Sequence, residues 1–406
     1  MKKVLFTVAL FFTAFTAFAQ KNVVKEAKAE KSNPAKAAQI IKPALSNPET
    51  MNDAETWKLA GDFQKAIYDE ENMKMYIPNG KANKAKLYNS LAQMFEFYLK
   101  CDEVEQMQVS KGELKKAKNR KKNVKTLATV RPNLVNAGSD AFNDGKYEEA
   151  LRFFSIFVSS PEHPMFEDVR EVKNDTLTAL IANYAVLAAN NLQKEKAVIK
   201  YAKIGKEDKE EGYRSLMCLA EVYGKSETLK DSVKWLATIE EGITKFPTQE
   251  YFIGNLMDYY IQKGKINEGL EKIDEVIARN PSPYFLYVKG VLQYEKKAYE
   301  EALTTFDQLI ALNQDFVAEA YSKKGDCFFF PAQQIIEENA QLAIDDPKYT
   351  AGEAKVKELY NQAKPFYEKA KELKPDQKQL WGQYLLNIYW KLNKAEYEAL
   401  EKELGY

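Results

Sequence analysis

Residues 143–154 read NDGKYEEALRFF and residues 295–306 read EKKAYEEALTTF. The same Tyr-Glu-Glu-Ala-Leu, followed three residues later by an aromatic, marks an internal repeat, and self-similarity restricts a fold more than composition does. Taking Gly138 and Ala150 as two small anchors twelve residues apart, the same gap recurs at Ala185/Ala197, Ala220/Ser232, Met257/Gly269 and Gly290/Ala302. Four residues before each first anchor stand Leu134, Ile181, Leu216, Ile253 and Leu286. Four after each second anchor stand Phe154, Tyr201, Leu236, Ile273 and Phe306, and seven after it Phe157, Ile204, Ile239, Val276 and Leu309. All of these are apolar or aromatic. Such spacings place one apolar stripe on each of two consecutive helices.

Turn residues such as Asn143-Asp144-Gly145 and Lys263-Gly264-Lys265 separate the two stripes. Glycine inside a helix costs about 1 kcal/mol against alanine, so Gly138, Gly269 and Gly290 point to close approach of a neighbouring helix. Pro281 and Pro375 fall twelve residues after second anchors, where proline ends a helix. With its small anchors Gly290 and Ala302, aromatic Phe306, terminal Pro281 in the preceding unit, and an opening Trp57-x-x-x-Gly61, the chain resembles the tetratricopeptide repeat (TPR) family. The resemblance implies an all-α fold, an α-solenoid of stacked helix-turn-helix repeats in which each pair buries its apolar face only against its neighbours.

The regular array is expected over residues 131–316. Upstream, 33–130 reads as divergent TPR-like units with a basic linker, after a flexible segment at 20–32; the second anchor of the Trp57 unit is not legible. Downstream, Gly325 follows Gly290 by 35 residues, but its second anchor, Ala363, lies 38 residues on. A unit at 317–376 therefore carries an insertion at 331–356, which either folds back over the groove or leaves it open. Residues 377–406, with Trp381, Leu385 and Tyr389, read as capping helices.

The first nineteen residues, MKKVLFTVALFFTAFTAFA, have a basic tip, an apolar run and a small-x-small end, the pattern of a cleaved export signal. A mature chain beginning at Gln20, periplasmic or secreted, is expected. No later window is apolar for long enough to span a bilayer, so no integral membrane segment is expected once the signal is removed. Apolar residues make up 45% and charged residues 29% of the chain, with zero formal net charge. Only six of the 59 basic residues are arginine, the side chain favoured for phosphate recognition, and no nucleic-acid partner is expected. Cys101, Cys218 and Cys327 are too few and too scattered for a disulfide framework and read as small buried side chains.

Catalytic chemistry has little to stand on. The single histidine, His163, sits between Glu162 and Pro164 and reads as an exposed loop residue. Neither metal-ligand spacing nor a phosphate-cradling glycine loop occurs. No enzyme activity, metal or cofactor is expected. The run KGELKKAKNRKKNVK at 111–125 carries eight basic side chains and one acid. It reads either as a dock for an anionic partner or as a solvated basic linker.

The resemblance also implies that the first helix of each pair lines a concave groove. Side chains at the facing offsets are small or polar early, with Val135, Ser139 and Asn143, then Ala182, Val186 and Asn190. The middle units offer Arg214, Met217, Glu221, Tyr251 and Asp258. The late ones offer Tyr284, Tyr287, Val291, Tyr294, Asp326, Phe329, Phe330, Tyr389 and Trp390. The Lys and Asn clamp with which one TPR subgroup grips a peptide carboxylate has no counterpart: Val135, Ala182, Met217, Gly254, Tyr287 and Ser322 occupy the matching places. The expected function is an exported scaffold that binds a protein or peptide segment in this groove. The alternative is glycan binding through the aromatic-rich C-terminal half.

Overall fold

The computed structural model describes residues 22–405; the expected export signal lies outside the described residues. Among these residues the secondary structure is helical throughout, with no strand. The described residues form two compact units that divide between Trp235 and Leu236.

The first unit opens with α1 (residues 22–29), α2 (Pro34–Ile41), α3 (Ala54–Tyr76), α4 (Lys84–Ser110) and α5 (Arg120–Val130). It continues through α6 (Asn133–Asn143), α7 (Tyr147–Ser159), the single turn α8 (Arg170–Lys173), α9 (Thr178–Asn191), α10 (Glu195–Gly205) and α11 (Gly212–Lys225). Helix α12 (Ser232–Lys245) spans the boundary. The second unit holds α13 (Glu250–Gln262), α14 (Ile266–Arg279), α15 (Pro283–Glu295), α16 (Tyr299–Leu312), α17 (Val317–Asn339), α18 (Pro347–Leu373), α19 (Gly382–Leu392) and α20 (Lys394–Leu404). Residues 22–29, expected within a flexible segment, are helical, and Ala27 is fully buried with Ile41, Phe63 and Ile67.

The pairs are TPR-like, and the repeated phrase shows why. Phe154 of α7 fills the space that a Cβ on Gly138 of α6 would need, and Phe306 of α16 does the same at Gly290 of α15. Ala150, Phe154, Ala302 and Phe306 are fully buried. A small residue on one helix thus admits an aromatic ring from the next, and within each unit successive pairs stack as in an α-solenoid. One anchor fails. Ser232 is exposed; at this pair it is Trp235, three residues later, that packs against Gly224.

Two pairs are much longer than the rest. Helices α3 and α4 have 23 and 27 residues, and α17 and α18 again 23 and 27. At 1.5 Å per residue these run to about 35–40 Å, against about 20 Å for a regular 13-residue helix. The insertion at 331–356 lengthens α17 and α18 into one antiparallel pair. Pro331 and Pro365 lie inside those helices, where each removes a backbone hydrogen bond at a cost of about 3 kcal/mol. Burial of Ala332, Val356 and Tyr360 between the helices offsets it. In α3/α4 the missing second anchor is Met94, fully buried, with Tyr98 four residues on set against Gly61.

Candidate functional site

The late aromatics lie on α15, α17 and α19, the first helices of three pairs in the second unit. Seven-residue spacing puts Tyr287 and Tyr294 on one face of α15 and Lys323 and Phe330 on one face of α17. Phe330 is 42% exposed and its ring stands edge-on between Tyr294 and Tyr384, 6.3 Å from each centroid. Tyr384 of α19 stacks in parallel on buried Tyr367, 4.7 Å away. The Lys323 ammonium lies 5.3 Å over Tyr294 and 2.7 Å from Asp326 Oδ2, while Asp326 Oδ1 accepts a 2.6 Å hydrogen bond from the Tyr367 hydroxyl.

Burial opposes the charge on Lys323, but Asp326 outweighs it and raises the ammonium pKa above its ordinary value. Burial, reinforced by Asp326, raises the Tyr294 hydroxyl far above the usual phenol range. Near neutral pH the face therefore offers aromatic surface, phenolic donors and one ammonium whose charge is balanced within the protein.

Not every expected groove residue belongs to this face. Asp326 and Phe329 are buried, at 2% and 5% exposure; Phe329 stacks on Tyr360 and meets Tyr384 edge-on, so it supports the patch from beneath. Tyr284 and Tyr287 are covered by a residue of the connecting loop. Phe316 stacks on Tyr287 at 5.5 Å and packs at the same distance against Tyr284, whose hydroxyl burial pushes up to about 12. Phe316 has a left-handed φ of 68°, which bulky side chains avoid, and its ring contacts hold it there. Tyr389 turns towards α18, its hydroxyl donating to Glu368 at 2.8 Å. Trp390 is 69% exposed beside a separate cavity. Tyr251 is half-buried edge-on to Phe252, and Asp258 is exposed. In the first unit Arg214 pairs with Glu211 at 2.7 Å and Glu221 with Lys225 at 3.4 Å. Sequence reasoning missed Lys323 and Tyr384, because neither occupies a facing offset of the repeat.

Other sequence candidates are occupied structurally. His163 is half-buried; its Nδ1 accepts from the Met165 N–H at 3.1 Å, and burial lowers its pKa. All three cysteines are buried and free, and burial pushes Cys101 and Cys327 up to about 12 and Cys218 to about 11. In the basic run, Arg120 is held bidentate by Asp102 at 2.7 Å, and Glu105 accepts from the N–H groups of Lys118 and Asn119. The run is thereby tied to α4, with its lysines exposed. Among the described residues no group of three His, Cys, Asp or Glu side chains is placed to hold a metal ion, and no helix is long and apolar enough to cross a membrane.

No protein-family model matches the sequence, and no curated protein matches it. Among solved structures the chain is similar to the C-terminal part of a TPR repeat-containing protein from Cytophaga hutchinsonii, at 17% identity over 66% of this chain and 92% of that one, with a TM-score of 0.38. It is also similar to a tetratricopeptide repeat protein from Parabacteroides merdae (16% identity, 68% and 98% coverage, TM-score 0.33). A TPR repeats protein from Bacteroides fragilis gives 16% identity, 67% and 98% coverage and a TM-score of 0.31.

Proposed function

We propose that the chain is an exported, non-catalytic scaffold that captures a segment of another protein on the face formed by Tyr294, Lys323, Phe330 and Tyr384. The observation that carries this reading is Phe330, an exposed ring flanked by two half-buried tyrosines on adjacent helices. Aromatic side chains fixed in this way bring large contact area with little rotamer entropy left to lose, and interfaces concentrate their energy on such anchors. The Lys323–Asp326 pair adds polar groups that orient a bound backbone without leaving a net charge to desolvate. Export rests on the first nineteen residues. Expressed with them, the chain is expected in the periplasmic fraction with Gln20 at its amino terminus; an intact Met1 would remove that part of the reading. Capture is tested by comparing retention of periplasmic proteins on immobilised wild type and on Tyr294→Ala/Phe330→Ala. Equal retention by both would remove the face from the account.

A further inference from the structure

The long α17/α18 pair overhangs its neighbour. Helix α19 has only 11 residues, about 16 Å at 1.5 Å each, so the far ends of α17 and α18 rise beyond it. Against the end of α19 they enclose a cavity of ≈ 360 Å³, within the usual range of small-molecule sites, roughly 300–1,000 Å³. Its walls are Gln333, Asn339, Tyr349 and Glu353 of the overhang, with Asn387 and Trp390 of α19.

Three features of this cavity fit one kind of ligand. Trp390 stands 69% exposed at its edge and makes no ring contact or hydrogen bond with the described residues. Asn339 donates its amide to the Tyr349 carbonyl at 3.3 Å, and Asn387 donates to the Gln383 carbonyl at 2.8 Å. A carbonyl only accepts, so both amide orientations are fixed; Asn339 is buried with its amide packed over Gly352, while the half-buried Asn387 keeps its side-chain oxygen as an acceptor without a protein partner. Glu353 and the neighbouring Lys391 cancel in a 2.6 Å ion pair, leaving no net charge. An aromatic face, a neutral acceptor and balanced charge suit a molecule with an apolar flat side and hydroxyl donors on its rim.

We propose that this cavity binds a neutral saccharide, one pyranose ring lying on the Trp390 indole with a hydroxyl donating to Asn387. The site is separate from the protein-capture face and stands whether or not that face is correct. The test is titration of the purified mature chain with maltohexaose, cellohexaose and the N-acetylglucosamine hexamer, followed by tryptophan fluorescence and calorimetry. Saturable binding of at least one is expected, with a blue-shifted indole emission. Trp390→Ala should weaken that binding by roughly tenfold or more at an unchanged Tm, and Asn387→Leu should weaken it at an unchanged emission maximum of the free protein. No saturable binding of any of the three up to about 10 mM overturns the proposal, as does equal binding by Trp390→Ala.

Discussion

The two long pairs are built alike and dressed differently. In α3/α4 and in α17/α18 a Gly-Asp dipeptide on the first helix, Gly61-Asp62 or Gly325-Asp326, receives a tyrosine from the second, Tyr98 or Tyr367. The glycine admits the ring and the aspartate accepts its hydroxyl, at 2.8 Å from Tyr98 and 2.6 Å from Tyr367. The following turns differ. Four and five residues after the glycine, α3 carries Lys65 and Ala66 where α17 carries Phe329 and Phe330. The cavities beside the overhangs differ too. The one lined by Lys84, Asp140, Lys146 and Arg152 in the first unit is ionic, with Lys84 and Tyr88 both bonded to Asp140, whereas the one beside Trp390 is neutral and amide-lined. Residues that set the frame are shared, and residues that set the surface are not.

If the frame is shared, removing its ring should be equally damaging in both pairs. Tyr98→Ala and Tyr367→Ala are each expected to cost about 3–5 kcal/mol in denaturant unfolding, as is Phe154→Ala in a regular pair. A cost near zero in one long pair would break the equivalence. Deleting only the hydroxyl should separate the two. Asp326 is 2% exposed while the Asp62 side chain is 34% exposed, and a buried acceptor left short of a donor costs about 1–3 kcal/mol. Tyr367→Phe is therefore expected to destabilise by about 1–3 kcal/mol, and Tyr98→Phe by clearly less.

The turns that close the two pairs should respond differently to acid. Near the end of α3, Glu71 accepts from the Asn83 N–H at 2.8 Å and pairs with Lys74 and Lys86 at 3.0 and 3.1 Å. The Asn83 N–H and the two lysines together outweigh the opposing burial and bring the carboxyl down from its ordinary 4.5 to about 2. A lowered folded-state pKa gives stability that is complete above the unfolded value and lost as pH falls from about 4.5 towards 2. Glu71→Gln should flatten stability against pH in that window. The corresponding turn after α17 is held by neutral Asn339, and Asn339→Ser should leave the pH profile unchanged.

Much of this frame was legible in the sequence, because small and aromatic anchors recur wherever helices of ordinary length cross. Of the two long pairs, α17/α18 was legible through Ala363 and Tyr367, which are buried with Tyr367 set against Gly325, whereas in α3/α4 the lengthened helices move the second anchor far from Gly61 and hide Met94 altogether. Pro331 and Pro365 compound the problem: local rules end a helix near proline, yet tertiary burial carries both helices through. The aromatic face was read in part. Tyr294 and Phe330 sit at repeat offsets, but Tyr384 is placed by its stack on Tyr367, and Phe316 covers Tyr284 and Tyr287 from a backbone conformation that no periodicity announces.

The smallest expected effect on stability bears on the central claim. Phe330 and Tyr294 lie at the surface of the frame, so Tyr294→Ala/Phe330→Ala should lower Tm by only a few degrees. Quantitative capture of periplasmic protein, measured beside Tm for wild type, for this variant and for Lys65→Ala/Ser139→Ala in the first unit, tests it most directly. Capture reduced tenfold or more by the aromatic variant alone, with all three proteins folded, is the expected result. Undiminished capture by the folded aromatic variant would contradict it.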